Sequence, residues 1–182
     1  MPSPVAHTLG GYIIYRFASS SNTTSWKKLL LCCVSSNLPD VDFLPGFLLG
    51  KPNYFHHGIS HSVGFSVAFA LLMGFVFYLK GGSFLRNSLL FFSLYFSHIL
   101  LDLLSYDSSF PYGLAALWPF TSDYYISPLS LFLDIQRDSA SATFITSMFS
   151  IHNLMAVLLE LALFTPLIVV SVLLTRVRKK EG

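Results

Sequence analysis

Charge is what this chain has least of. Only 11% of its 182 residues are Asp, Glu, Lys or Arg, while 53% are hydrophobic and the mean hydropathy is +0.63. A soluble domain carries roughly a quarter charged residues. The deficit excludes that class and points to a single integral membrane domain over residues 1–182. Cysteine is almost missing too. Cys32 and Cys33 are adjacent and flanked by Leu and Val, so a bridge between them would be strained and no C-x-x-C metal pair exists. They are read as apolar filler. No basic region precedes the first apolar stretch, so a cleaved signal peptide is not expected. A net charge of +2 without a basic, aromatic-interleaved stripe leaves no nucleic-acid partner expected. The G-x-S-x-G elbow of serine hydrolases is absent, as is any internal repeat.

What the chain does have is apolar length. Three stretches approach the ~20 apolar residues that a bilayer requires: Val63–Leu79, Ser88–Leu104 and about Asn153–Leu174. Val5–Phe17 and Trp26–Val34 are too short to cross alone and are expected as a helical pair entering part way, covered by the other helices. The linker Ala18–Ser25 is polar, and Thr24 or Ser25 is positioned to cap the helix that starts at Trp26. Asn37–His61 is punctuated by Pro39, Pro45, Gly46, Gly50 and Pro52 and is expected to be loop with at most short helices. Tyr106–Ser150 is expected as a surface loop. The fold class is therefore all-α, a polytopic membrane bundle with about three full spans, a short N-terminal helical pair and surface loops. Its 18 Phe and 9 Tyr suit lipid-facing surface and interfacial belts.

Threading these segments back and forth sorts the charges. Arg16, Lys27, Lys28, Lys80, Arg86, Arg176, Arg178, Lys179 and Lys180 fall on one side, leaving only Lys51 and Arg137 opposite. The positive-inside rule makes the first side cytoplasmic. The other side receives Asp40, Asp42, Asp102, Asp107, Asp123, Asp134 and Asp138, together with His7, His56, His57 and His61. The expected location is the inner (plasma) membrane, multi-pass, with the site facing the extracytoplasmic side.

His98 and Asp102 lie inside an apolar span, where an ionisable group costs at least ~2.5 kcal/mol and is a functional-site candidate by default. Their i, i+4 spacing places a nitrogen and an oxygen ligand on one helix face. Asp40 and Asp42, in Pro39-Asp40-Val41-Asp42, alternate so that an extended loop would aim both carboxylates the same way. His57 and His61 share a helical spacing, whereas His56 and His61 need a non-helical turn at Gly58; the residues alone do not choose between His56 and His57. His7 stands before Gly10-Gly11. Glu160, buried in the last span, is expected to hydrogen-bond a ligand histidine. Nitrogen and oxygen ligands without thiolate suit a catalytic site for a divalent transition metal, with zinc first and manganese or iron next, in one or two ions.

The same pieces resemble the YdjM-type family of membrane-bound metal-dependent hydrolases. They are His7 with Gly10 and Gly11, Leu38-Pro39-Asp40-Val41-Asp42, His56-His57-Gly58-Ile59-Ser60-His61-Ser62, Ser97-His98-Ile99-Leu100-Leu101-Asp102 and Leu117-Trp118-Pro119-Phe120. In that family the histidine piece usually reads His-Arg-Gly-x-Thr-His-Ser, so the resemblance carries the ligand role to His56 and His61, and His57 stands where arginine is usual. The order Asp, His, H-x-x-x-D is also similar to that of zinc-dependent bacterial phospholipase C, which implies a phosphoester and, at a bilayer, a lipid.

The expected metal ligands are thus His7, Asp40, Asp42, His56, His61, His98 and Asp102, with Asp40 also the candidate general base. The expected function is hydrolysis of an ester or phosphoester of a lipid-like substrate by metal-activated water. The competing reading is a non-catalytic membrane protein with a structural metal site, or a metal transporter.

Overall fold

A computed structural model describes residues 1–19, 25–108 and 112–178. Among these the regular structure is helical: α1 (Pro4–Ala18), α2 (Trp26–Ser36), α3 (Phe43–Leu48), α4 (Val63–Tyr78), α5 (Phe84–Leu103), α6 (Ser141–Ser147) and α7 (Ile151–Arg178). Three short 3-10 turns, Leu38–Asp42, Pro52–Tyr54 and Ile59–His61, lie between α2 and α4. The all-α class holds.

Among the described residues two helices, not three, are long and apolar enough to cross a bilayer: α5 and α7. The expected span at Val63–Leu79 is a helix of 16 residues, about 24 Å at 1.5 Å per residue against a hydrocarbon core of ~30 Å. Its limits are local. Ser62 caps its first turn by accepting from the Phe65 N–H at 3.1 Å, and Gly81, at φ 81°, turns the chain into α5. By contrast α5 starts a turn before the expected Ser88, where Ser83 supplies the cap. Large apolar side chains such as Leu158, Leu167, Val169 and Leu173 stay exposed along α7, as a helix facing lipid requires.

The short pair is placed as expected, with α1 packed against α2, α5 and α7. Ser3 caps α1 and Pro4 occupies its first turn. Ser25 precedes α2 without a side-chain cap; its N–H donates to the Tyr15 hydroxyl at 2.9 Å instead. Thr24 lies outside the described residues. At the far end of α2, the Asn37 amide donates to Thr8 Oγ1 (3.0 Å) and to the Cys33 carbonyl (2.8 Å), fixing the end of α2 beside the start of α1. At the opposite end, Arg16 donates to Thr175 Oγ1 at 2.7 Å. Cys32 joins Tyr15, Phe91 and Leu94 in the core, and both cysteines are free thiols.

The segment expected as a surface loop does more than lie on the surface. In its described part it folds back over the end of α5: the Leu131 and Phe132 N–H groups donate to the Leu104 carbonyl and Tyr106 donates to the Phe132 carbonyl. Leu114, Ala115, Ala116, Phe132 and Ile135 are buried. The start of α4 is seated on this cover, Val63 N–H donating to the Ala116 carbonyl and Gly64 N–H to that of Trp118. A Cβ at Gly64 would lie 2.6 Å from Trp118 O and Pro119 Cδ, so only glycine permits this approach.

Candidate metal centre

Four segments bring the predicted residues to one end of the bundle. The first turn of α1 carries His7. Its geometry is set by Glu160 of α7, whose carboxylate accepts from the Ser3 N–H at 2.6 Å and from the Ser3 hydroxyl. The carboxylate thus holds the capping residue of α1 and bonds no ligand histidine, which corrects the role expected for Glu160. His152, also on α7, bonds the Asp134 carbonyl (2.9 Å) and carboxylate (3.3 Å) instead of any ligand.

Asp40 and Asp42 are not on an extended loop. They lie in the 3-10 turn Leu38–Asp42, where three residues complete a turn and positions i and i+2 diverge. The two carboxylates therefore part. Asp40 Oδ1 lies 3.4 Å from His98 Nε2 and 3.6 Å from His61 Nε2. Asp42 turns to the far nitrogens, 3.1 Å from His61 Nδ1 and 3.0 Å from His56 Nδ1. The Ser60 hydroxyl donates to Asp42 Oδ2 at 2.8 Å, and the Tyr95 hydroxyl, from α5, donates to the Ser60 carbonyl at 2.9 Å. Asp42 is placed to orient imidazoles, a different task from that of Asp40.

The histidine segment turns at His57, which adopts φ 66°, a left-handed backbone that costs of order 1 kcal/mol outside glycine. Gly58 itself has φ −75°. The turn leaves the two rings in contact, centroids 4.1 Å apart, but gives them different carboxylate partners. His56 stacks on Phe43 with centroids 4.0 Å apart, and its Nε2 lies 2.6 Å from Met1 Sδ. His57 points to Asp107, whose Oδ2 lies 3.6 Å from Nδ1 and accepts from the Gly113 N–H at 2.7 Å. His56 falls within ligating reach of Asp40 and His61; His57 joins no such group among the described residues.

On α5, the carbonyl of Ser36 accepts a 2.8 Å bond from His98 Nδ1. A carbonyl only accepts, so Nδ1 carries the proton and the Nε2 lone pair faces the centre. Asp102 receives three histidines: His98 Nε2 at 3.1 Å and His61 Nε2 at 3.5 Å on Oδ2, and His7 Nε2 at 3.4 Å on Oδ1. His7, His61, His98 and the Asp102 carboxylate are fully buried, whereas the Asp40 side chain is 16% exposed. Asp40 is the most exposed of the ligand-type side chains, although its Oδ1 is buried.

These atoms are orphans. His61 Nε2, His98 Nε2, Asp40 Oδ1, both oxygens of Asp102 and both nitrogens of His7 are buried with no hydrogen-bond partner of good geometry among the described residues. Each such group costs about 1–3 kcal/mol. Their spacing suits a shared cation: neighbouring ligands ~2.0–2.1 Å from an ion stand ~3 Å apart, and His61 Nε2 and His98 Nε2 each lie 3.1–3.6 Å from Asp40 Oδ1 and from Asp102 Oδ2. The residues present fit a metal ion. In three groups one ligand atom from each residue lies within 4.8 Å of the others: His7, Asp40 and His98; Asp40, His56 and His61; and His61, His98 and Asp102. All seven predicted residues are brought together, six in these groups and Asp42 behind two of their imidazoles.

Charge acts strongly outside the spans. Burial pushes the His61 imidazole down, but the carboxylates of Asp40 and Asp42 outweigh it and lift its pKa to about 8. Burial raises Asp40, and His98 and His61 more than reverse this, holding it well below the usual carboxylate range. His56 is pushed well down by burial and by His57 and Arg137.

Four contributors escape sequence reasoning: Met1, Ser60, the Ser36 carbonyl and Arg137. Only Arg137 left a signal, as one of two basic residues on the acidic side.

The sequence profile of a family described as YdjM inner membrane protein matches residues 1–178. No curated protein and no solved structure matches the chain.

Proposed function

The chain belongs to the YdjM inner membrane protein family, and from that premise we propose that it is a membrane-embedded metal-dependent hydrolase acting on a lipid-like ester or phosphoester at the extracytoplasmic face. One observation carries the reading: four buried, unpartnered atoms of His61, His98, Asp40 and Asp102, each imidazole nitrogen lying 3.1–3.6 Å from both carboxylate oxygens. Zinc suits an all-nitrogen-and-oxygen set with an accessible edge, with manganese and iron next. A divalent ion held there supplies Lewis acidity and lowers the pKa of a bound water towards ~7.

The chain's own residues supply the rest. Asp40, at the solvent-facing edge, accepts the proton of the attacking water. Asp42 and the Ser36 carbonyl hold the imidazoles of His61 and His98 in one orientation. The bundle keeps bulk water from the other ligands. An apolar groove of about 520 Å³, lined by Ile135, Met148, Phe149, Ile151, Leu154 and Val157, adjoins this end of the molecule through the Ile135–Met1 backbone bond and supports a substrate with an apolar tail. The basic residues at the far ends of the helices support an extracytoplasmic site.

The test is elemental analysis of protein purified without chelator, followed by a panel of esters and phosphoesters in lipid with and without chelator. Chelator-sensitive turnover is the expected result. Metal-loaded protein that hydrolyses no member of the panel overturns the reading.

A further inference from the structure

We propose that Arg137 is the anion-binding residue of this centre and holds a phosphoryl group, which makes the substrate a phosphoester in preference to a neutral ester. The substrate class rests on the hydrolase reading; the anion site does not.

The guanidinium lies over Phe43, its Cζ 4.9 Å from the ring centroid, and the Phe43 ring stacks on His56 of the centre. Arg137 Nε donates to Asn53 Oδ1 at 3.0 Å and one terminal nitrogen reaches the Ile135 carbonyl at 3.5 Å. Both partners are neutral. A guanidinium carries five donors in a fixed fork, and these two contacts leave most of the fork unused.

The missing partner is the informative part. Arg137 feels the charges of Asp40, Asp102, Asp107 and Asp42, yet among the described residues no carboxylate oxygen lies within 4.0 Å of it. A half-buried arginine with acids at hand ordinarily closes a bidentate pair with one of them. Here Asp42 is turned to His56 and His61, and Asp107 to His57 and Gly113. The acids are committed elsewhere, and Asn53 and Phe43 hold the fork away from them. Divalent cations among the carboxylates would cancel much of the negative field and leave the guanidinium's charge for an incoming anion. A phosphoryl group offers the planar pair of oxygens that the fork matches. A neutral ester has no use for an unpaired cation.

The experiment measures binding of inorganic phosphate to the metal-loaded, full-length protein by calorimetry, without reference to turnover. Arg137→Gln is expected to weaken phosphate about 10- to 100-fold with metal content unchanged, and Arg137→Lys, which keeps the charge but not the fork, to fall between. Asn53→Ala, which releases Arg137 Nε and keeps all the guanidinium donors, is a second, milder variant and should weaken phosphate less than Arg137→Gln. Phosphate displaced by short-chain phosphatidic acid at lower concentration than by glycerol phosphate assigns the group to a lipid; equal displacement assigns it to a soluble ester. An Arg137 that only offsets the carboxylates would, when replaced, lower metal content or thermal stability and leave the phosphate affinity of loaded protein unchanged. That result, or wild-type protein that binds no phosphate, overturns the proposal. Phosphate binding through Arg137 in a protein that hydrolyses nothing would remove the hydrolase reading alone, and turnover of neutral esters without phosphate binding would remove this inference alone.

Discussion

His7 and His98 lie face to face, their ring centroids 3.6 Å apart and 16° from parallel. Each turns Nε2 to a different oxygen of Asp102, so α1 and α5 share one carboxylate. Replacing Asp102 by Asn keeps the size and removes the charge common to both. Asp102→Asn is expected to lose bound metal, and with it any hydrolysis, while the apolar packing of α5 keeps the protein folded. Elemental analysis beside circular dichroism decides it; unchanged metal content would show that the Asp102 carboxylate is not needed to hold the metal.

Asp42 makes a different prediction because it bonds the outer nitrogens of two histidines. Asp42→Asn should retain full stoichiometry at saturating metal but bind it about 10- to 100-fold more weakly. Competition against a chelator of known affinity reads this directly. A complete loss of binding would place Asp42 among the ligands themselves.

Proton and metal compete for His61. Its imidazole titrates at about 8 in the metal-free protein, and only the neutral ring ligates. Apparent metal affinity should therefore rise with pH, by up to about tenfold per unit below pH 8 through this one group, and flatten above it. Chelator competition from pH 6 to 9 gives the curve. His61→Gln should bind more weakly throughout and lose this component of the slope.

The contact between Glu160 and Ser3 is a stability prediction. Glu160→Ala leaves the Ser3 N–H and hydroxyl buried without their acceptor and should cost about 1–3 kcal/mol. Ser3→Ala, which removes the cap, should cost about 0.5–2 kcal/mol. Thermal unfolding in detergent measures both, and metal affinity should fall in parallel because His7 lies one turn from the cap.

Orientation is tested by labelling. In a Cys32→Ser, Cys33→Ser background, a single cysteine at Tyr124, which is 43% exposed, should react with a membrane-impermeant thiol reagent from outside intact cells. One at Leu79 should react only after permeabilisation. The reverse pattern would invert the sidedness and leave the ligand clustering intact.

What the sequence made legible was chemistry in order: an H-x-x-x-D in an apolar span, two aspartates beside a proline, histidines around a glycine. Ligand-type residues in a hydrophobic context are costly, so their mere presence is a signal, and all of them meet at one end. Less legible was how each is aimed. The 3-10 turn that parts Asp40 from Asp42 and the left-handed His57 that gives it a different carboxylate partner from His56 are local backbone decisions, fixed by tertiary contacts such as Tyr95 with Ser60 and Ala115 N–H with the His57 carbonyl. The third span failed for a similar reason. Hydropathy runs continuously into Leu79, but Ser62 and the glycine pair set where α4 begins and ends. Glu160 was readable as a costly buried carboxylate; that it serves the far terminus of the chain depends on α1 packing against α7.

The ligand-type atoms come from α1, the turn after α2, the turn before α4 and the end of α5, so no hairpin cut from this chain holds a complete set. A newly inserted chain passes through α1 and α2 with only His7 and the aspartate pair in hand, and the centre closes only when α5 docks. Contacts this far apart in sequence form late in folding, and a cation that prefers the closed set adds its binding free energy to the finished bundle alone. Metal supply would then set how much of the inserted protein persists against proteolysis, before any reaction is considered.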